Sequence, residues 1–190
     1  LKIETTENNY DFLNKKKDNG FSSKIPINQY IHIHLDEKWV RNLYIKSYTE
    51  INPTYTEFVD FINENARSSN VLITTGIIDY KLILDLKSNF FKELTKKIYF
   101  NDACKNLIYF IYKPSFDDLE SLLRKSKFLV SCHGAITHAA NSFDVKIVDV
   151  IERNKRLFYQ RFTSYLNNYT FVYRENFNSI KKILQIKLNE

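Results

Sequence analysis

Methionine is absent from these 190 residues; glycine and proline occur three times each, cysteine twice and tryptophan once. So little glycine and proline excludes a collagen-like or low-complexity chain and makes each glycine a marked position. Cys104 and Cys132 lie far apart and outside any ligand spacing, which argues against a disulfide framework and fits a reducing cytosol. Apolar runs stay far below the roughly eighteen residues that a membrane span needs. The opening LKIETTENNY is too polar for a signal peptide. A chain that opens on Leu1 without any methionine reads as part of a longer protein. Charge is only mildly one-sided: 28 Lys and Arg against 22 Asp and Glu leave +6, a bias toward anionic partners. The basic residues are scattered, and the KKK at 15–17 and the Lys181–Lys182 pair read as solvated surface, so no nucleic-acid partner is expected.

What is present is an ordinary globular balance, 44% hydrophobic and 26% charged, in a chain long enough for one domain with a sizeable core. Residues 1–28 are polar and turn-rich and read as a linker or interdomain segment, with a folded domain over 29–190. Short β-branched or aromatic runs follow at 31–35, 70–75, 106–112, 127–131, 145–151 and 169–173, most of them nearly continuous apolar runs. That texture predicts strands covered on both faces. Helical spacing lies between them. TEFVDFINENA (56–66) puts Phe58, Phe61 and Ile62 on one side, and RENFNSIKKILQIKL (174–188) does the same with Phe177, Ile180, Ile183 and Leu184. SFDDLESLLRKS (115–126) follows Pro114, with Ser115 as N-cap, acids in the first turn and Arg124-Lys125 in the last. Strand–helix alternation predicts a Rossmann-like α/β fold: an open, mainly parallel sheet of about six strands with helices on both faces.

Ligands of such sheets sit beyond the carboxyl ends of the strands. Gly76, in TTG, and Gly134, in SCHG, both fall there. Glycine at a strand-to-helix turn permits positive φ and close approach of a ligand, and the helix beyond Gly134 would aim free N–H groups at the same spot. A plain tight turn is the alternative for either glycine.

The motifs HLDEKW (34–39), LITTG (72–76), DLESLLRKSKFLVS (118–131) and SCHGAITHAA (131–140) occur in an order and at distances that resemble a known pattern. It is that of the C-terminal, donor-binding half of two-domain GT-B glycosyltransferases, in the heptosyltransferase-like family nine. The resemblance covers Tyr30 to Glu152, about two thirds of the chain. His133, Gly134 and Ala135 stand where that family has Asp, Ser or Thr, and Gly, whereas His138, Ala139 and Ala140 fit its pattern. The departure puts a heptose donor in doubt.

The resemblance implies a nucleotide-diphosphate sugar as substrate, with no cofactor and no metal. It also implies a glycan or lipid-linked acceptor, an N-terminal domain that supplies the catalytic base, and a cytoplasmic enzyme with at most peripheral membrane contact, at the inner face of the membrane. It makes Lys38 the residue that stabilises charge on the departing phosphates. Thr75, Gly76, His133, Gly134, Ala135, His138 and Glu152 become donor-binding residues, Glu152 through the ribose hydroxyls. Structural roles stay open for each: a solvated lysine, strand-end threonines, histidines bonded within the helix–sheet contact. A binding module of the same fold without turnover is the non-enzymatic alternative. A metal site built on His32, His34, His133 and His138 is disfavoured, because no carboxylate stands in a recognisable hydrolase context. Trp39 reads as a packing residue.

Overall fold

The computed structural model describes residues 17–40 and 43–189. Its strands are β1 (Tyr30–Leu35), β2 (Val71–Thr75), β3 (Lys92–Thr95), β4 (Ile98–Asn101), β5 (Ile108–Ile111), β6 (Ser126–Cys132), β7 (Lys146–Ile151) and β8 (Tyr169–Tyr173). Its helices are α1 (Tyr55–Ala66), α2 (Lys81–Asn89), α3 (Phe116–Leu123), α4 (Ala135–Asn141), α5 (Arg156–Thr163) and α6 (Phe177–Asn189).

The sheet order is β3-β4-β5-β2-β1-β6-β7-β8. From β5 to β8 every neighbouring pair is parallel. These parallel strands coincide with the apolar runs read from the sequence. The chain builds outward from β1 through β2 to β5, then returns to β6 on the other side of β1. That reversal is the Rossmann order, and the crevice it opens beyond β1 and β6 is where such sheets take ligands.

The sheet has eight strands, not about six. The two additional ones, β3 and β4, form an antiparallel hairpin on β5. Their sequence, KELTKKIYFN, is charged, and β3 is exposed at every position. An edge strand need not be apolar, and charge there discourages further pairing. The signal used for the buried strands was therefore missing.

Both faces are covered, and the pleat shows which residue goes where. Ile31, Ile33 and Leu35 of β1 join Trp39 and the apolar faces of α1, α2 and α6 in the main core. His32 and His34, on the opposite face of the same strand, are also buried. A smaller core on that side joins α3 and α4 to Leu129 of β6 and Ile147 of β7. Phe58, Phe61 and Phe177 are buried together, Phe61 and Phe177 edge-to-face at 5.6 Å. Truncating any one of them should cost about 3–5 kcal/mol.

Local signals agree with this packing. Ser115 and Asp118 form a reciprocal capping box at the start of α3, as Thr54 and Glu57 do for α1. The stretch read as a linker lies outside the described residues up to position 16. From Phe21 onward it is packed: Phe21, Ile25 and Ile27 are buried beside Leu72 and Leu122, and Ser22 donates its N–H to Ser121 Oγ at 2.9 Å. Among the described residues, no helix is long and apolar enough to cross a membrane.

Candidate functional site

The loop leaving β1 is built by a few short-range interactions. Asp36 caps a single 3-10 turn, Glu37–Trp39, by accepting the Lys38 N–H at 3.1 Å through Oδ1. Trp39 drops into the main core and donates its indole N–H to the His34 carbonyl at 2.9 Å, so it is the packing residue its sequence context suggested. With Trp39 pointing inward, Lys38 stays at the rim. Its ammonium donates to Asp36 Oδ2 at 2.9 Å, and its side chain is 17% exposed. Burial pushes the Asp36 carboxyl upward, against the pull of Lys38. Burial lowers the lysine's pKa, but the Asp36 charge and hydrogen bond outweigh it, so the net shift is upward. The lysine is a cation at neutral pH.

The two marked glycines make room for this loop. A Cβ on Gly76 would meet Glu37 Oε2 at 2.9 Å and the Cα and Cβ of Asp36 at 3.1 Å. A Cβ on Gly134 would lie 2.6 Å from Lys38 Nζ. The Gly134 backbone is extended, φ −176° and ψ −171°, so the positive φ expected of its turn is absent. Space, not handedness, is what Gly134 supplies. Its N–H is engaged as well, donating to Thr137 Oγ1 at 3.3 Å.

Loops from β1, β2 and β6 thus meet at the crevice of the parallel sheet and enclose a cleft of about 280 Å³. Of the residues proposed from sequence, Lys38, Thr75, Gly76, Gly134 and Ala135 line it together. His34, Asp36 and Glu37 join them, and Ile77, 85% exposed, stands at its rim. Thr75 Oγ1 accepts the Lys113 N–H at 2.9 Å, which ties the loop after β5 to the same wall.

The other proposed residues lie apart from this cleft wall. His133 Nδ1 meets the buried Asp149 at 2.7 Å, and its ring packs edge-on against His138 and Tyr159. Asp149 also accepts from Tyr169 at 3.1 Å, its other oxygen has no partner among the described residues, and burial pushes its carboxyl upward. His138 Nδ1 is 2.6 Å from the Tyr165 hydroxyl. Burial, with His133 beside it, lowers the His138 imidazole below its ordinary pKa. Glu152 is buried and spends its carboxylate internally: it accepts the Thr49 N–H at 2.6 Å and lies 3.3 Å from Arg174 Nε.

Arg174 escaped the sequence reading. It is 4% exposed and holds several strand-end segments at once. It donates to the Lys38 carbonyl through Nη2, to the Thr49 carbonyl at 3.2 Å and to Cys132 Sγ at 3.2 Å. The only sequence signal was an arginine directly after the apolar run YTFVY. Asp36, one of the carboxylates that stand in no recognisable hydrolase context in the sequence, is the second such residue.

Both buried histidines of β1 converge on one hydroxyl. His32 Nε2 and His34 Nδ1 each lie 2.8 Å from Thr74 Oγ1, which donates to one ring and accepts from the other. Burial lowers both imidazoles, His34 to about 4, so both are neutral. Among the described residues, no group of three or more His, Cys, Asp or Glu side chains could hold a metal ion.

The fold and cleft define an α/β protein with a crevice at the switch point of a Rossmann-ordered sheet. No family model and no curated protein matches the chain, so the heptosyltransferase-like family finds no match. A solved structure that does match is that of the wall teichoic acid polymerase TagF, at 11% identity and a TM-score of 0.44, over 95% of this chain and 43% of that one. The chain therefore spans less than half the length of that protein, and the likeness is too coarse to bear on activity.

Proposed function

We propose that the cleft binds a nucleotide-diphosphate sugar and that the chain is the donor-binding half of a glycosyltransferase. The observation that carries this reading is the convergence of the β1, β2 and β6 loops on the Lys38 ammonium at the sheet's switch point. An ammonium has three N–H donors, and Asp36 takes one. The others serve a diphosphate. In the transfer an acceptor hydroxyl attacks the anomeric carbon, and the bond from that carbon to phosphate oxygen breaks. The nucleoside diphosphate departs with the electron pair. Lys38 stabilises that charge in a cleft partly closed to water. Glu37, on the same wall, accepts from the sugar's hydroxyls. The acceptor is a glycan or lipid-linked glycan, and the base that takes its proton comes from outside this chain.

Thermal shift with nucleoside diphosphates tests the binding step. A ligand at a hundred times its Kd adds about 2.7 kcal/mol, roughly 5–10 °C for a domain of this size. Lys38→Ala should abolish the shift; because it also leaves the buried Asp36 without its cation, the shift is read against the variant's own unliganded melting temperature. A nucleoside diphosphate that stabilises wild type and Lys38→Ala equally would remove Lys38 from the site, and no stabilisation by any of them would remove the donor reading.

A further inference from the structure

Helix α5 is amphipathic in the unusual sense: its apolar side faces away from the protein. Only Tyr159 and Thr163 of the helix are buried. Leu157 is 76% exposed, Phe158 55% and Phe162 46%, with Tyr165 just beyond the helix at 38%. At about 100° per residue Leu157, Phe158 and Phe162 occupy one arc away from the buried pair, and Tyr165 follows in the turn beyond, with its hydroxyl on His138. An exposed cluster of large apolar groups is costly in water and marks a surface that meets something else.

The charge around it indicates what. Residues 153–168, RNKRLFYQRFTSYLNN, contain four basic residues and no acidic one. Arg161 lies within the apolar arc. Arg156 sits 5.7 Å over the ring of Phe171 on the edge strand β8, which extends the belt of arginine and aromatic groups from the helix onto the sheet.

We infer that this face is a docking surface for an anionic lipid bilayer. Leucine and phenylalanine at the crest enter the acyl boundary, while Arg156 and Arg161 pair with lipid phosphates. Aromatic rings beside arginines, with a tyrosine hydroxyl at the margin, match the polarity gradient of a membrane interface. A nucleic acid fits the crest less well, because its most exposed residue, Leu157, has no ring on which a base can stack. The surface is independent of the donor cleft, but α5 is coupled to the histidine cluster: Tyr159 packs on His133 and Tyr165 bonds His138.

Co-sedimentation of the purified chain with vesicles tests this. It should pellet with phosphatidylcholine–phosphatidylglycerol vesicles and stay in solution with phosphatidylcholine alone, and high salt should weaken the binding. Leu157→Ser/Phe158→Ser/Phe162→Ser should lose binding by more than a hundredfold, and Arg156→Gln/Arg161→Gln by about tenfold or more. Circular dichroism and melting of both variants should match wild type, since the side chains are exposed. Three outcomes would overturn the proposal: equal pelleting with neutral vesicles, no pelleting with anionic ones, or self-association in solution that the apolar variant abolishes. The result does not depend on nucleotide binding, so the two readings fail separately.

Discussion

Adding one methyl group at each of the two marked glycines should produce opposite signatures. At Gly76 the new Cβ would press on the Cα and Cβ of Asp36 at 3.1 Å and on Glu37 Oε2 at 2.9 Å. The carboxylate can rotate away, but the Asp36 main chain cannot, because the capped turn and the buried Trp39 fix it. Overpacking of this kind costs about 1–3 kcal/mol, which lowers the melting temperature by roughly 2–12 °C in a domain of this size. At Gly134 the new Cβ would meet only Lys38 Nζ, at 2.6 Å, the end of a flexible side chain. The backbone there is extended and accepts any residue. Gly134→Ala should therefore push the Lys38 side chain off its present rotamer while it keeps its contact with the buried Asp36, at a cost of about 0.5–1.5 kcal/mol. It should also weaken nucleoside-diphosphate binding by the loss of a charge-assisted hydrogen bond, about 1.5–3 kcal/mol, or roughly 10- to 150-fold. Differential scanning calorimetry and titration calorimetry on both variants separate the cases. Gly134→Ala binding as tightly as wild type, or melting lower than Gly76→Ala, would refute the account of these glycines as clearance for the Lys38 loop.

Other expectations follow from the buried polar groups. Because burial depresses the His34 pKa to about 4, its stabilising contribution is complete above pH 6.5 and is lost as pH falls toward 4, about 3 kcal/mol in all. His34→Asn, which keeps a partner for Thr74 without titrating, should reduce the fall of the urea midpoint across that window, with His32 keeping its own share; an unchanged pH slope would assign acid sensitivity elsewhere. Arg174→Met leaves Glu152 buried without its cation and should cost about 3–5 kcal/mol. Arg174→Met/Glu152→Gln should recover part of that loss, and a double variant no more stable than the single would show that the pair is not coupled.

Much of the fold was legible in the sequence because its physics is local. Continuous apolar runs such as Leu107 to Tyr112 read as strands covered on both sides, and the Ser115 cap with its acids starts a helix wherever the chain puts it. The position of Lys38, Gly76 and Gly134 at strand ends followed from the same local patterns. The hairpin β3–β4 was not legible, since the exposed edge strand β3 has no apolar signature and β4 has only the three-residue run Ile98–Phe100, and neither was α5, whose apolar side faces outward.

What the tertiary structure alone decided is which of the candidate residues meet. Strand order is set by nonlocal pairing, so only the assembled sheet places the loops of β1, β2 and β6 side by side at one crevice. The same packing separates His133, His138 and Glu152 from the cleft wall and spends them on Asp149, Tyr165 and Arg174. Sequence can mark a histidine as unusual. Whether a buried polar group faces a ligand or a neighbouring side chain depends on partners a hundred or more residues away, as Arg174 with the Lys38 carbonyl shows, because such a group is retained wherever its hydrogen bonds are met.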